Sequence, residues 1–312
     1  MVYVVRLTLV LYISLLSAAV VMVAQDSDID LNPPEIGDFV LDPITGVVLE
    51  DIPVLPELTD HARAIYERGI EAGNNPHVFS KVGDCMTATT EYFLGPFGED
   101  NYDLGEYEEL QAVIEYFSAP ARQEGFELDS FANPGLGTST GYNTASVLDP
   151  IWADPAWCQA NESPLACEYR TSQPIFSLVM FGTNDVMFFE ADFFDFYMRS
   201  IVLETINNGT VPVLYTIPTR PEFPDKTYLF NQIIVNIAQE YDLPLVNLWA
   251  AIQHLPNEGV DELEPIHLSI PEDEQTGDFS EVNLNFGYTV RNLITLQAFE
   301  ILLDDLVADE AT

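Results

Sequence analysis

Basic residues are scarce in this chain. Ten Lys and Arg stand against 51 Asp and Glu over 312 residues, for a formal net charge of −41. Only Lys81 and Lys226 are lysines. Nucleic-acid affinity comes mainly from cations that neutralise phosphates, and a surface of this sign repels nucleic acid and anionic membranes alike. Those partners are excluded. The charge leaves the fold open; it serves solubility, or it suits salty surroundings whose ions screen the self-repulsion. Histidine is sparse too, with four in all. His61, His77 and His254 are scattered without a close pair, so no transition-metal site is expected, and no cofactor either. One long apolar run at the N-terminus has no counterpart downstream, which excludes a polytopic membrane protein. Repeats and long low-complexity linkers are absent.

That N-terminal run has the pattern of an export signal. Arg6 is the only charge before Asp26, and residues 7–24 are almost unbroken apolar sequence. Small-residue triplets at 17–19 and 22–24 offer cleavage sites. A run of this length also just spans a bilayer, so residues 1–24 are read as a signal peptide or a retained anchor, and the rest as secreted or extracytoplasmic. Three cysteines remain to be placed. Cys158 and Cys167 lie close enough to close a small loop in an exported chain; the alternative is two free buried thiols. Cys85 is then the odd cysteine, which calls for an explanation.

Residues 25–58 carry Pro33, Pro34, Pro43, Pro53 and Pro56, which keep the stretch out of a helix; it reads as an extended acidic arm. Residues 59–312 read as one domain. Thr59 is an N-cap candidate for a helix running to Asn74. Beyond it, short runs at 77–82 and 126–131 and uncharged runs at 175–181, 211–217 and 243–248 read as strands. Helical patterns cover 104–117, 188–206, 228–241 and 287–306. Uncharged strands alternating with amphipathic helices indicate an α/β fold, a parallel sheet covered on both faces.

In open α/β sheets, ligands bind beyond the carboxyl ends of the strands. Gly83-Asp84-Cys85 falls at such an end. So do the Gly-rich turn reaching Gly141 and Gly182-Thr183-Asn184-Asp185; Glu264-Pro265-Ile266-His267 lies far downstream. These four blocks, in this order, resemble those of the SGNH (GDSL-type) hydrolases: Gly-Asp-Ser, a block-two glycine, Gly-x-Asn-Asp and Asp-x-x-His. The likeness extends over about residues 75–305 and implies a three-layer, flavodoxin-like parallel sheet flanked by helices.

The resemblance also implies roles. Cys85 stands at the nucleophile position, His267 at that of the base, and the Cys85 and Gly141 amides with the Asn184 side chain at the oxyanion donors. A helix N-terminus at Cys85 favours a thiolate. Two residues depart from the family pattern. Cys85 replaces serine, and Glu264 replaces the aspartate that orients the histidine; Asp261 is the alternative orienting group. Arg220, after the 211–217 strand, reads as a surface ion pair or a contact for a substrate anion. The activity implied is hydrolysis of short acyl esters, those on carbohydrates included, with a small-molecule or glycan ester as partner. A silent binding protein of the same fold is the alternative, and the oligomeric state stays open.

The charge generates a first prediction. The Debye length shrinks from ~10 Å at 0.1 M salt to ~3 Å at 1 M, so the melting temperature is expected to rise between those sodium chloride concentrations. A flat or falling melting temperature would show that self-repulsion does not limit stability.

Overall fold

Phe79 and Ser80 are neighbours in sequence and point to opposite faces of one sheet. In the computed structural model, which describes residues 46–122 and 126–310, the chain forms four strands: β1 (Asn75–Gly83), β2 (Pro174–Met180), β3 (Val211–Tyr215) and β4 (Leu245–Val246). All pair in parallel in the order β1-β2-β3-β4. The expected signal peptide or anchor over 1–24 and the expected arm up to residue 45 lie outside the described residues.

The helices are α1 (Asp60–Ala72), α2 (Cys85–Ala88), α3 (Gly95–Gly98), α4 (Gln111–Tyr116), α5 (Pro164–Ser172), α6 (Asp185–Phe188), α7 (Ala191–Asn207), α8 (Pro224–Glu240), α9 (Leu248–Ile252) and α10 (Gly287–Glu310). Strand alternation sorts them into two layers. Phe79 and Phe176 face one way and pack on Phe299 of α10, with Tyr66 of α1 against Phe176. Ser80 and Ser177 face the other way and bond Glu168 and Tyr169 of α5. Tyr169 also meets Thr205 of α7, and Phe194 of α7 stacks on Phe230 of α8 at 4.1 Å. Every residue of β2 and β3 is buried, as a sheet covered on both faces requires.

Helix α1 starts where expected, with Thr59 Oγ1 accepting from the Ala62 amide at 3.0 Å. It ends two residues early, because Gly73 turns left-handed (φ 94°) and Asn74 donates instead to the Asn208 and Gly209 carbonyls. Gly69 lets α1 touch the turn before β3: a Cβ there would lie 2.0 Å from the Gly209 carbonyl oxygen. Strand β3 stops short of Ile217 because the Asn231 side chain bonds both the Ile217 N–H and its carbonyl. Strand β4 is cut to two residues because Asn247 caps α9. In the 104–117 stretch the helix is confined to α4, preceded by a short 3-10 turn over Glu108–Leu110.

The expected strand over 126–131 does not form; Asp129 makes only an isolated antiparallel bridge with Pro120. Its residues serve β1 through other atoms. Ser130 Oγ accepts from the Phe79 amide and Lys81 Nζ donates to the Phe131 carbonyl. The outer side of β1 is taken instead by residues 137–139, which bridge Gly83 in parallel through Gly83 N–H to Gly137 O at 3.1 Å. The chain therefore pairs on one side of β1, then crosses to form β2 on the other. That reversal opens a crevice at the carboxyl end of β1.

Residues 46–58 lie on the domain: Leu49 is buried with Val235 and Trp249, and Asn247 donates to the Leu49 and Ile52 carbonyls. Cys158 and Cys167 are joined in a disulfide and Cys85 is free. Cross-links act mainly by restricting the unfolded chain, and a loop with sequence separation 9 is worth about 2–3 kcal/mol. The Cys158→Ser, Cys167→Ser double variant is expected to lose about that much stability in urea titrations. An unchanged midpoint would contradict it.

Candidate active site

The crevice is built from three turns and one loop. Gly83 ends β1 where a Cβ would lie 2.6 Å from both the Met180 carbonyl and Thr87 Oγ1, so only glycine fits. Asp84 caps α2, its Oδ1 accepting from the Met86 amide at 3.1 Å. Cys85 is the first residue of that four-residue helix. The far end of α2 is held by Arg291 of α10, which donates to the Met86 carbonyl (2.6 Å) and to Thr87 Oγ1 (3.0 Å). Its guanidinium lies 3.6 Å from the centre of the Phe93 ring.

After β2, Gly182 takes φ 133°, and Asp185 is buried, accepting from the Thr144 amide and hydroxyl. Asn184 donates its side-chain amide to the Tyr142 carbonyl at 2.8 Å. These bonds tie the Gly182–Asp185 turn to the glycine turn. Gly141 has φ 83° and open space where a side chain would stand. Arg220 does form an ion pair, with the half-exposed Glu222, but its own side chain is not at the surface. It is buried, donating to the Thr183 carbonyl at 2.8 Å, with Glu222 3.2 Å from its Nε.

The fourth element is the 261–267 loop. Asp261 Oδ1 accepts from the Leu263 and Glu264 amides, at 2.8 and 2.7 Å. The His267 amide donates to the Glu264 carbonyl and the Asp261 amide to the His267 carbonyl, each at 2.9 Å. Asp261 is thus occupied in shaping the loop. Glu264 Oε2 sits 3.2 Å from His267 Nδ1, which makes Glu264 the carboxylate facing the imidazole. The longer glutamate reaches the ring because the loop closes tightly around it.

Cys85, Glu264 and His267 line one cavity of about 510 Å³, together with Thr89, Tyr92, Leu268 and Tyr288. Gly141 adjoins it through Thr140, whereas Asn184 stands on the neighbouring turn with its amide directed to Tyr142. Two groups that the motifs did not reveal complete the setting. Arg291 holds the Cys85 turn, and Arg220 holds the turn that carries Asn184. Arg291 is a lone cation in a largely apolar stretch, the one signal in the sequence that would have singled it out.

The electrostatics overturn one expectation. A helix N-terminus was expected to favour the Cys85 thiolate, but burial, with the Asp84 carboxylate next to it, pushes the thiol up to about 12. One helical turn supplies too little dipole to offset that. Burial also raises Asp84 to about 7 and Asp185 to about 6. His61 and His77 bond the Tyr241 and Tyr116 carbonyls and take no part in the site. Among the described residues, the one compact group of metal-ligating side chains is Cys158, Glu162 and Cys167, whose sulfurs are joined to each other.

A thiol with a raised pKa stays protonated through the neutral range, and its thiolate fraction grows tenfold per pH unit until the pKa is approached. Iodoacetamide is therefore expected to alkylate Cys85 slowly at pH 7, with a rate that climbs steadily to about pH 10. A plateau below pH 9, followed by intact-mass spectrometry, would show an activated thiolate instead.

No protein-family model matches the chain, and no curated relative does. Solved structures similar to it include a GDSL-like lipase from Bacteroides thetaiotaomicron VPI-5482, at 13% identity and TM-score 0.42, over 77% of this chain and 98% of that one. A psychrotrophic esterase from Pseudoalteromonas sp. matches at 12% identity and TM-score 0.44, over 73% of this chain and 99% of the other. A catalytic mutant of an acetylxylan esterase from Geobacillus stearothermophilus matches at 14% identity and TM-score 0.43, over 73% and 94%.

Proposed function

We propose that this chain is an exported ester hydrolase of SGNH type that works through an acyl-cysteine. One observation carries the reading: Cys85 and a histidine with its own carboxylate partner, Glu264, line a single cavity at the carboxyl end of the sheet. The same four blocks that resemble the family in sequence converge on this edge of the fold. The leader-like N-terminus and the disulfide support export.

The high pKa of Cys85 dictates how such a reaction runs. A preformed thiolate is disfavoured, so His267 must take the proton as sulfur attacks the ester carbonyl. Glu264 at Nδ1 leaves Nε2 for that transfer and steadies the imidazolium that forms. The Cys85 and Gly141 amides bear on the oxyanion, and Asn184, which donates to the Tyr142 carbonyl, steadies the turn that carries Gly141. Collapse of the tetrahedral adduct breaks the C–O bond, and the imidazolium protonates the departing alcohol. Water, deprotonated by the same ring, then attacks the thioester and releases the carboxylic acid and the Cys85 thiol. Small-molecule or glycan esters are the substrate class, and no cofactor enters any step.

The raised thiol pKa also favours a second reading, a silent site in which Cys85 packs and the protein binds an acylated ligand without cutting it. Turnover separates the two. Purified protein is expected to hydrolyse activated short-chain esters, and Cys85→Ala and His267→Ala to lose that activity by at least about a hundredfold. Glu264→Gln is expected to lose less, with Asp261→Asn acting through loop stability. Turnover that survives Cys85→Ala would refute the nucleophile, and no turnover of any ester would establish the binding protein.

A further inference from the structure

The cavity beside Cys85 has a mixed lining. Besides Cys85, the 261–267 loop and the hydroxyls of Thr89 and Thr140, it is lined by Leu263, Leu268, Ile270 and the rings of Tyr92 and Tyr288. Leu268 and Tyr288 are buried there, Ile270 is half-buried, and the Tyr92 and Tyr288 rings pack at 5.8 Å between centroids. Thr89 continues the wall from the end of the Cys85 helix. At about 510 Å³ the space is of the size that encloses a whole small molecule, far beyond what an acetyl methyl fills.

Leu263 stands at the mouth. It is 91% exposed, yet it lines the cavity, and its amide is held by Asp261 Oδ1 at 2.8 Å. A single exposed leucine means little by itself. This one is carried by the same short loop as Glu264 and His267, so it is placed as firmly as the base is. The flanking carboxylates and the net charge of −41 exclude an anionic chain end.

We propose that the cavity binds a neutral aliphatic acyl chain longer than acetyl, laid against Leu268, Ile270 and Tyr288, with Leu263 covering its outer part. The inference rests on reading Cys85 as the nucleophile. The acyl group is the part of the ester that stays bonded to Cys85 after the alcohol leaves, and Cys85 lines the same cavity as these apolar side chains. The short acyl groups expected from the sequence then become the lower end of the range.

Two chain-length series test this. With p-nitrophenyl acetate, butyrate, hexanoate and octanoate, kcat/KM is expected to rise by up to about fourfold for each methylene buried. Leu263→Ser, at an exposed position that leaves folding intact, is expected to flatten that rise. A flat series with acetate hydrolysed as well as octanoate would overturn the chain site and leave the hydrolase standing. A length dependence seen only with acetates of lengthening alcohols would overturn it as well. Alkyl methanethiosulfonates from methyl to octyl give a readout that needs no turnover. The Cys85 sulfur displaces methanesulfinate, its proton passes to solvent, and a mixed disulfide forms. Labelling of Cys85, relative to labelling of glutathione by the same reagent, is expected to accelerate with chain length and to lose that gain in Leu263→Ser. A flat labelling series would overturn the chain site whatever the esters show. A rising series without ester turnover would overturn only the hydrolase reading.

Discussion

Arg291 is the constraint on which the site depends. Helix α2 has four residues, far too few to persist without tertiary support. Its last carbonyls need a partner away from water, and the fully buried guanidinium of α10 supplies it. Burying that cation carries a cost that only good geometry offsets. The bonds to Met86 and Thr87 and the Phe93 face provide the geometry, and the buried Asp84 beside it contributes attraction. Because Arg291 belongs to α10, the same contact fixes where Tyr288 enters the cavity wall. The Cys85 turn and the wall are therefore one rigid piece.

Four of the ten basic residues are spent inside. Lys81, Arg122, Arg220 and Arg291 are all buried, so the surface is more uniformly negative than the composition suggests. Lys81 is pushed down to about 7 by burial and bonds the Phe131 carbonyl. Arg122 lies between Phe126 and Trp157, 4.7 and 4.8 Å from the ring centres, and 3.6 Å from the buried Glu168. Arg220 clamps the turn that carries Asn184. Lys81, Arg220 and Arg291 each donate to a backbone carbonyl of a distant stretch of chain. Buried Asp84, Glu168, Asp185 and Asp195 accompany the buried cations.

Within the site, burial sets the chemistry more than charge does. Desolvation raises Cys85, Asp84 and Asp185 together: Asp84 and Asp185 are buried at strand ends, and Cys85 is half-buried at the cavity wall. A thiol kept protonated in this way reacts only when a neighbouring group takes its proton. The tight 261–267 loop therefore matters as much as the cysteine, since it holds both the imidazole and the carboxylate that faces it.

Much of this was legible from the chain alone, and the reason is local. Thr59 announces a helix because its hydroxyl caps within three residues, and the runs that became β2 and β3 are apolar throughout because both their faces are covered. The four blocks could be read because turns at strand ends demand glycine and cap-forming residues at set positions. Periodicity misled at 126–131, where alternation served side chains packing on β1 and not a ladder of backbone bonds. Three matters were decided only by tertiary structure. Glu264 rather than Asp261 faces His267 because the loop's own amides occupy Asp261. The Cys85 thiol is raised and not lowered because helix α2 is one turn long and buried beside a carboxylate. Arg291, some two hundred residues downstream of the turn it holds, enters the site only when α10 packs on the sheet, and no local pattern encodes a contact of that range.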